Sequence, residues 1–427
     1  WENANGRQGM VELCHGCGGC RGTQEETGGV MCPTFRAAEE ESLSTRGRAN
    51  ALRQAMSGDL PDDATDAEFV EEILDLCIGC KGCARDCPSE VDMATLKAEL
   101  THQHHQEHGT SMRDRLFGDI RRWAAIGSAT APVSNWLASM PGSGWLAEKT
   151  VGIASERALP TFARTSFTDW MTGREDGVAP DDAERHALVF PDTYTEFMEP
   201  DIGKAAVKVL ESAGVHVALP AGVTDSGRPA FSKGLLDDAR ERAEQNVAAL
   251  EPAIEDGWDV VTVEPSEAAM FQSDYATLLG SERAATVAQN TYGVTEYLDR
   301  FELPVPSVDV VGTSSPDSLV YHGHCHQTAI GRERHAPRVL ERAGFDVEVL
   351  DSGCCGMAGS FGYEAEHVSM SEAIAGILFE QVDRAEASTD DGRAVVAPGT
   401  SCRSQFWDLR GTEASHPAEI LAGQLSN

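Results

Sequence analysis

One cysteine run constrains this chain more than any other feature: Cys77-x2-Cys80-x2-Cys83-x3-Cys87, followed at once by Pro88. A second group, Cys14-x2-Cys17-x2-Cys20, is followed after eleven residues by Cys32-Pro33. Three thiols at i, i+3 and i+6 on a tight turn wrap three corners of a cube, and backbone N–H groups face its sulfurs. A fourth thiolate must then arrive from elsewhere in the chain. Gly16, Gly18, Gly19, Gly79 and Gly82 sit between the thiols, where glycine permits positive φ and close approach. The spacing predicts two [4Fe–4S] clusters, with about eight irons. Structural zinc uses paired C-x2-C knuckles, which two triplets plus two Cys-Pro units fit badly. A disulfide framework does not suit a chain with no visible secretory signal.

The Cys77–Cys87 group is the bacterial two-cluster ferredoxin run without deviation. In such ferredoxins the proline-followed cysteine ligates the other cluster. On that basis Cys14, Cys17, Cys20 and Cys87 are expected to hold one cluster, and Cys77, Cys80, Cys83 and Cys32 the other. The glycine-rich insertion Arg21–Met31 departs from the run and is expected to form part of a partner or cofactor surface. Residues 36–56 and 66–76 read as helices. The second has Asp66 and Glu68 in its first turn and a stripe of Phe69, Ile73 and Leu76, so it would deliver Cys77 rigidly.

Three regions separate along the chain: 1–100 with eight of the twelve cysteines, 101–184 with none, and 185–427 with the remaining four. The last alternates β-branched runs with amphipathic helices, as a parallel α/β domain does. It also repeats itself. Leu188-Val-Phe-Pro191 corresponds to Leu319-Val-Tyr-His322, and Val209-Leu-Glu-Ser-Ala-Gly214 to Val339-Leu-Glu-Arg-Ala-Gly344. The predicted class is α+β: an α-helical dicluster domain, a helical connector, and a duplicated, Rossmann-like α/β domain with repeats 185–300 and 318–427.

Cys325, Cys354, Cys355 and Cys402 each follow a predicted strand. In a parallel sheet the carboxyl ends of the strands face one side, so these thiols are expected to converge as a third cluster or metal site. Buried packing thiols, or a redox disulfide between Cys354 and Cys355, are the alternatives. The matching positions of the first repeat are Tyr194, Asp225, Ser226 and Glu267, so only one half can carry thiolate chemistry. His322, His324 and His326 flank Cys325 as ligands, proton relays or ordinary loop histidines. His102, His104, His105 and His108 read as a polar helix face rather than a metal site. The amphipathic segment Leu116–Trp136 has the pattern of one that touches a membrane surface, but the charge balance and proline breaks favour packing on the core or between domains.

The formal charge is −35, from 69 Asp plus Glu against 34 Lys plus Arg, only six of them Lys. Such a surface repels nucleic acid and suits a halophile, whose concentrated salt screens the self-repulsion. No run of eighteen apolar residues is present to span a membrane. Because the first residue is Trp1, the segment is expected to continue a longer polypeptide.

The order of dicluster, proline-broken connector and Cys-Cys-Gly domain resembles the iron–sulfur half of FAD-linked 2-hydroxy-acid dehydrogenases, of the D-lactate and D-2-hydroxyglutarate type. It is similar, too, to the iron–sulfur subunits of glycolate oxidase and of anaerobic glycerol-3-phosphate dehydrogenase, and to the Cys-Cys-Gly subunits of heterodisulfide reductase. The phrases that carry this are Gly28-Gly-Val-Met-Cys-Pro33, Ser44-Thr-Arg-Gly-Arg48, Val91-Asp-Met-Ala-Thr95, His322-Gly-His-Cys-His326 and Gly399-Thr-Ser-Cys-Arg403. The resemblance implies an oxidoreductase module. FAD in an upstream oxidase domain or a partner subunit takes two electrons from a hydroxy acid. The clusters then pass them to a quinone or an electron-transfer flavoprotein, in the cytoplasm or at the inner face of the cell membrane. The chain departs from heterodisulfide reductase in lacking first-repeat cysteines and in having Cys402-x2-Gln405 where that family has C-x2-C. A non-enzymatic scaffold with structural zinc is the remaining class, and sulfide analysis distinguishes it.

Overall fold

The computed structural model describes residues 5–57, 72–174, 177–308, 318–387 and 393–425. Its N-terminal part is helical and is built around thiols. Val11, Phe35, Leu52, Leu74, Val91 and Leu96 bury their side chains around Cys20, Cys32, Cys83 and Cys87 in one core. The helix expected over 36–56 is divided. A short helix Pro33–Ala38 begins with Pro at its first position, where the missing N–H costs nothing. Glu39 turns at φ 56°, and a fresh helix runs Thr45–Ser57. Ser44 caps this second helix, its Oγ accepting from the Gly47 N–H at 2.9 Å. Of the helix expected over 66–76, Asp66, Glu68 and Phe69 lie outside the described residues. In the part that is described, Leu74 rather than Leu76 reaches the core, and Ile73 packs at its edge.

Helix Met93–His108 leads from this core into the connector, with Asp92 as cap accepting from the Thr95 N–H at 3.0 Å. Four further helices follow at Met112–Gly118, Ile120–Ala129, Val133–Ala138 and Ser143–Val151. The expectation of packing holds for Ile120–Ala129, which buries Ala124, Gly127 and Ser128, and fails beyond it. Helices Val133–Ala138 and Ser143–Val151 bury no residue, and Trp123, Trp136 and Trp145 are all exposed. Among the described residues no helix is long and apolar enough to cross a membrane.

The C-terminal region contains two parallel sheets. The first has the order β2-β1-β3-β4, with β1 Arg185–Phe190, β2 Val215–Ala218, β3 Asp259–Thr262 and β4 Thr291–Gly293. The second has the order β6-β5-β7, with β5 Ser318–His322, β6 Asp346–Leu350 and β7 Ala394–Val396. Leu188 pairs with Val260 in one sheet and Val320 with Val395 in the other. The central strands β1 and β5 read as continuous apolar runs because helices and neighbouring segments cover them on both faces. One core joins the sheets: Val189 and Val261 of the first share it with Leu319, Tyr321 and Val396 of the second, all fully buried.

The cysteine-bearing part docks on both sheets. Lys81, between Cys80 and Cys83, pairs with buried Asp274, which also accepts from Arg228 Nη1 at 2.8 Å. Arg85 pairs with Glu333 at 2.8 Å, and His326 Nε2 lies 3.2 Å from the Gly79 carbonyl oxygen. The insertion Arg21–Met31 docks along one edge, with Gln24, Val30 and Met31 buried and Arg21, Thr23, Glu25, Glu26 and Thr27 exposed. Gln24 Nε2 and the Gly29 N–H both donate to Asp351 Oδ1, at 3.1 and 3.0 Å.

Candidate functional site

Close backbone approach and left-handed turns position the N-terminal thiols. Cys32 has φ 55° and Lys81 φ 60°, and Gly16, Gly18 and Gly79 are also positive. Gly82 lets the two cysteine segments touch, since a Cβ there would stand 2.8 Å from Met31 N. Backbone N–H groups then aim at sulfur: Thr45 N at Cys32 Sγ (2.9 Å), Arg46 N at Cys20 Sγ (3.3 Å), and Met93 N at Cys83 Sγ (3.3 Å). Such donors stabilise negative charge on thiolate and sulfide, which tunes cluster potential.

A small cavity is lined by Cys32, Cys77, Cys80 and Cys83 together. His15 Nδ1 lies 3.0 Å from Ser89 Oγ, bringing the first cysteine turn beside the segment that follows Cys87. Cys20 also meets Cys32. Their hydrogen bond holds the Cys20 thiol down to about 6 and, with burial, pushes Cys32 up. Burial pushes Cys83 up to about 12. Exposure falls along the set: Cys17 is exposed, Cys14 and Cys77 are half-buried, and Cys20, Cys32, Cys80, Cys83 and Cys87 are buried. All eight donors are thiols, several of them bonded by backbone N–H groups, and this set fits iron–sulfur clusters.

The four C-terminal cysteines converge as the parallel topology requires, beyond the carboxyl ends of β5, β6 and β7. All four are buried. Cys354 contacts Cys325 and Cys355, and Cys355 contacts Cys402, so the sulfurs form one chain of neighbours. Those contacts push Cys354 and Cys402 up and drive Cys355 well down. A ring nitrogen of His322 and the sulfurs of Cys355 and Cys402 lie within 4.8 Å of one another. His322 Nδ1 is 2.6 Å from Ser352 Oγ, and its buried Nε2 has no hydrogen-bond partner. An orphaned imidazole nitrogen among thiols fits a metal or cluster at this place. Sequence reasoning could not select His322 from its neighbours, because the three histidines alternate from the last residue of β5 through the turn into the next helix. Two of them face elsewhere: His324 lies 3.9 Å from Glu264, and His326 reaches Gly79. Gln405 offers the cysteines nothing, since its Oε1 accepts from Arg157 (2.9 Å) and its Nε2 donates to the Ser371 carbonyl (3.2 Å).

The two sulfur regions meet. Cys80 packs with Cys325 and Cys354 in one buried cluster that Val30 and Ile374 complete. Beside it a cavity of about 240 Å³ is lined by Cys77, Gly79, Cys325 and Cys355 and, from the first sheet, by Tyr194 and Glu267. Glu267 is buried, its Oε2 has no hydrogen-bond partner, and burial raises its pKa well above the ordinary carboxyl value. The residues His102–His108 are not gathered as metal donors: His102 and His105 bond to the carbonyls of Gly234 and Lys233.

Thiols in this arrangement define the class: an iron–sulfur electron-transfer protein. Residues 10–91 match the 4Fe-4S dicluster domain and residues 319–407 the Cysteine-rich domain. Lactate utilization protein A of Bacillus pumilus is 30% identical over 223 residues, spanning 50% of this chain and 86% of that protein, and the chain belongs to its family. D-2-hydroxyglutarate dehydrogenase of Escherichia coli is 24% identical over 96% of the chain, and a subunit of the anaerobic glycerol-3-phosphate dehydrogenase of the same species is 26% identical over 74%. The chain matches 43% of the former's length and 78% of the latter's, and corresponds to the iron–sulfur portion of such enzymes.

Proposed function

We propose that this chain is the electron-relay module of an FAD-linked D-2-hydroxy-acid dehydrogenase of the D-lactate type, an oxidoreductase acting on CH–OH donors. The contact between Cys80 and the Cys325–Cys354 pair carries this reading, because it makes the sulfur sites one continuous path. Cys14, Cys17, Cys20 and Cys87 hold the outer cluster, and Cys77, Cys80, Cys83 and Cys32 the inner one. The shared cavity at the second set and the His15–Ser89 contact support the pairing, and Cys20 and Cys32 are where the two sets touch. Cys325, Cys354, Cys355 and Cys402, with His322, hold a third cluster or a single metal. When bound, these groups carry electrons one at a time, as a flavin that collects two requires.

The protein supplies the rest. Exposed Cys17 marks the side facing the electron donor, a flavin domain in the same polypeptide or on a separate protein. The inner cavity faces the acceptor, a quinone or an electron-transfer flavoprotein, and lining it is Glu267, whose pKa burial raises. The module divides at 1–100, 101–184 and 185–427. The shared strand orders β2-β1-β3 and β6-β5-β7 support a duplicated, Rossmann-like origin for the last. It works in the cytoplasm or on the membrane's inner face.

A free-standing iron–sulfur subunit is the second reading, favoured by the 78% span of the glycerol-3-phosphate dehydrogenase relative. The flanking coding sequence decides between the two. For both, anaerobic purification should give about eight irons with matching sulfide from the two cubanes. Cys83→Ala should abolish the EPR signal of one cluster. A protein holding zinc without sulfide would overturn the proposal.

A further inference from the structure

Nine of the eleven large apolar side chains exposed among the described residues lie between Met112 and Leu146. They include Trp123, Trp136 and Trp145, with Val133, Leu137 and Leu146 at 52–58% exposure. Patches of this kind mark surfaces that something else covers. In the helix Val133–Ala138 the usual arrangement is reversed, because its polar side chains Ser134 and Asn135 face the protein. Asn135 Nδ2 donates to the Phe162 carbonyl and Asn135 Oδ1 accepts from the Phe162 N–H, both at 2.8 Å. Ser134 Oγ donates to the Gly127 carbonyl at 2.7 Å. The tryptophans are left pointing outward. Helices of six and nine residues that bury nothing are marginal in water on their own.

Charge identifies the occupant. The chain carries 69 Asp plus Glu, yet none occurs from Ile120 through Ala147. Exposed Arg115, Arg122 and Lys149 rim the stretch, and the carboxylates of Asp237, Asp238 and Glu241 stand only on the side where Trp123 borders the neighbouring helix. A second copy would bring the same cations to the same face. An anionic bilayer surface offers headgroups to the cations and an apolar boundary to the tryptophans, the arrangement of helices that lie in the interface plane.

We propose that residues 112–151 are a membrane-surface docking face, seated on anionic phospholipid with Trp123, Trp136 and Trp145 in the headgroup–acyl boundary. This rests on the peripheral placement proposed above and assigns it a surface. Lipid binding is read without reference to iron, so it can fail while the relay reading stands, and the reverse.

The test uses the whole chain with its metals assembled, sedimented with phosphatidylglycerol–phosphatidylcholine vesicles and with phosphatidylcholine vesicles alone. Binding to the anionic vesicles with a blue shift of tryptophan emission is expected. The combined Trp123→Ser, Trp136→Ser and Trp145→Ser variant, at unchanged iron content, should bind at least ~10-fold more weakly. Trp407→Ser, an exposed tryptophan outside the face, should bind like the unaltered chain. Absence of vesicle binding, binding indifferent to the triple change, or a chain–chain association that the triple change removes would each overturn the proposal.

Discussion

At the residue scale, the cysteines were readable from spacing alone, because thiols three apart have few other uses. The convergence of Cys325, Cys354, Cys355 and Cys402 was readable too, once strands were placed before each of them. His322 was not, since its role depends on Ser352 and Cys402, which are distant in sequence. If His322 donates to the third site, His322→Ala should weaken metal retention there by ~10–100-fold while leaving the two cubanes intact. Unchanged metal content by elemental analysis would remove it from the donor set. Asp192, fully buried at the end of β1, makes a second prediction. It caps the following helix, accepting from the Tyr194 and Thr195 N–H groups at 3.0 Å, and burial raises its pKa from 3.8 to about 6. A raised carboxyl pKa contributes stability that is complete below 3.8 and lost as pH climbs through about 6. Asp192→Asn keeps the capping acceptor and removes the titration. Thermal midpoints of the variant should therefore fall less over that window than those of the parent, and parallel curves would refute the assignment.

At the scale of elements, β1 and β5 lie where the runs Leu188-Val-Phe and Leu319-Val-Tyr put them, because strands buried on both faces read as unbroken apolar segments. The division of the 36–56 helix was less legible, since its cause is a contact between backbones. A Cβ on Gly47 would stand 1.9 Å from the Glu41 carbonyl oxygen. Gly47→Ala should therefore cost roughly 1–3 kcal/mol of stability. It should also lower iron retention, because the same turn aims Thr45 and Arg46 at Cys32 and Cys20. Denaturant unfolding and iron analysis check both, and a variant matching the parent in each would show that the turn can yield. For the exposed tryptophan segment the sequence offered both a packed and a membrane-facing reading and could not choose between them. An apolar stripe has the same period whether it faces a core or a lipid surface.

At the scale of the whole molecule, charge and connectivity dominate. A net charge of −35 stores self-repulsion that salt relieves, the screening length shrinking from ~10 Å at 0.1 M to ~3 Å at 1 M. The melting temperature should rise as KCl increases across that range, and a flat or falling response in calorimetry would count against a salt-adapted surface. Asp351 sets how the parts move. It grips the Arg21–Met31 strap through Gln24 and Gly29, three residues before Cys354. The strap, which Arg36 also grips from its own side, is therefore fastened to the turn that carries the paired thiols. Loss of one ligand is a local injury, whereas loosening the strap itself would be felt in both sulfur regions at once.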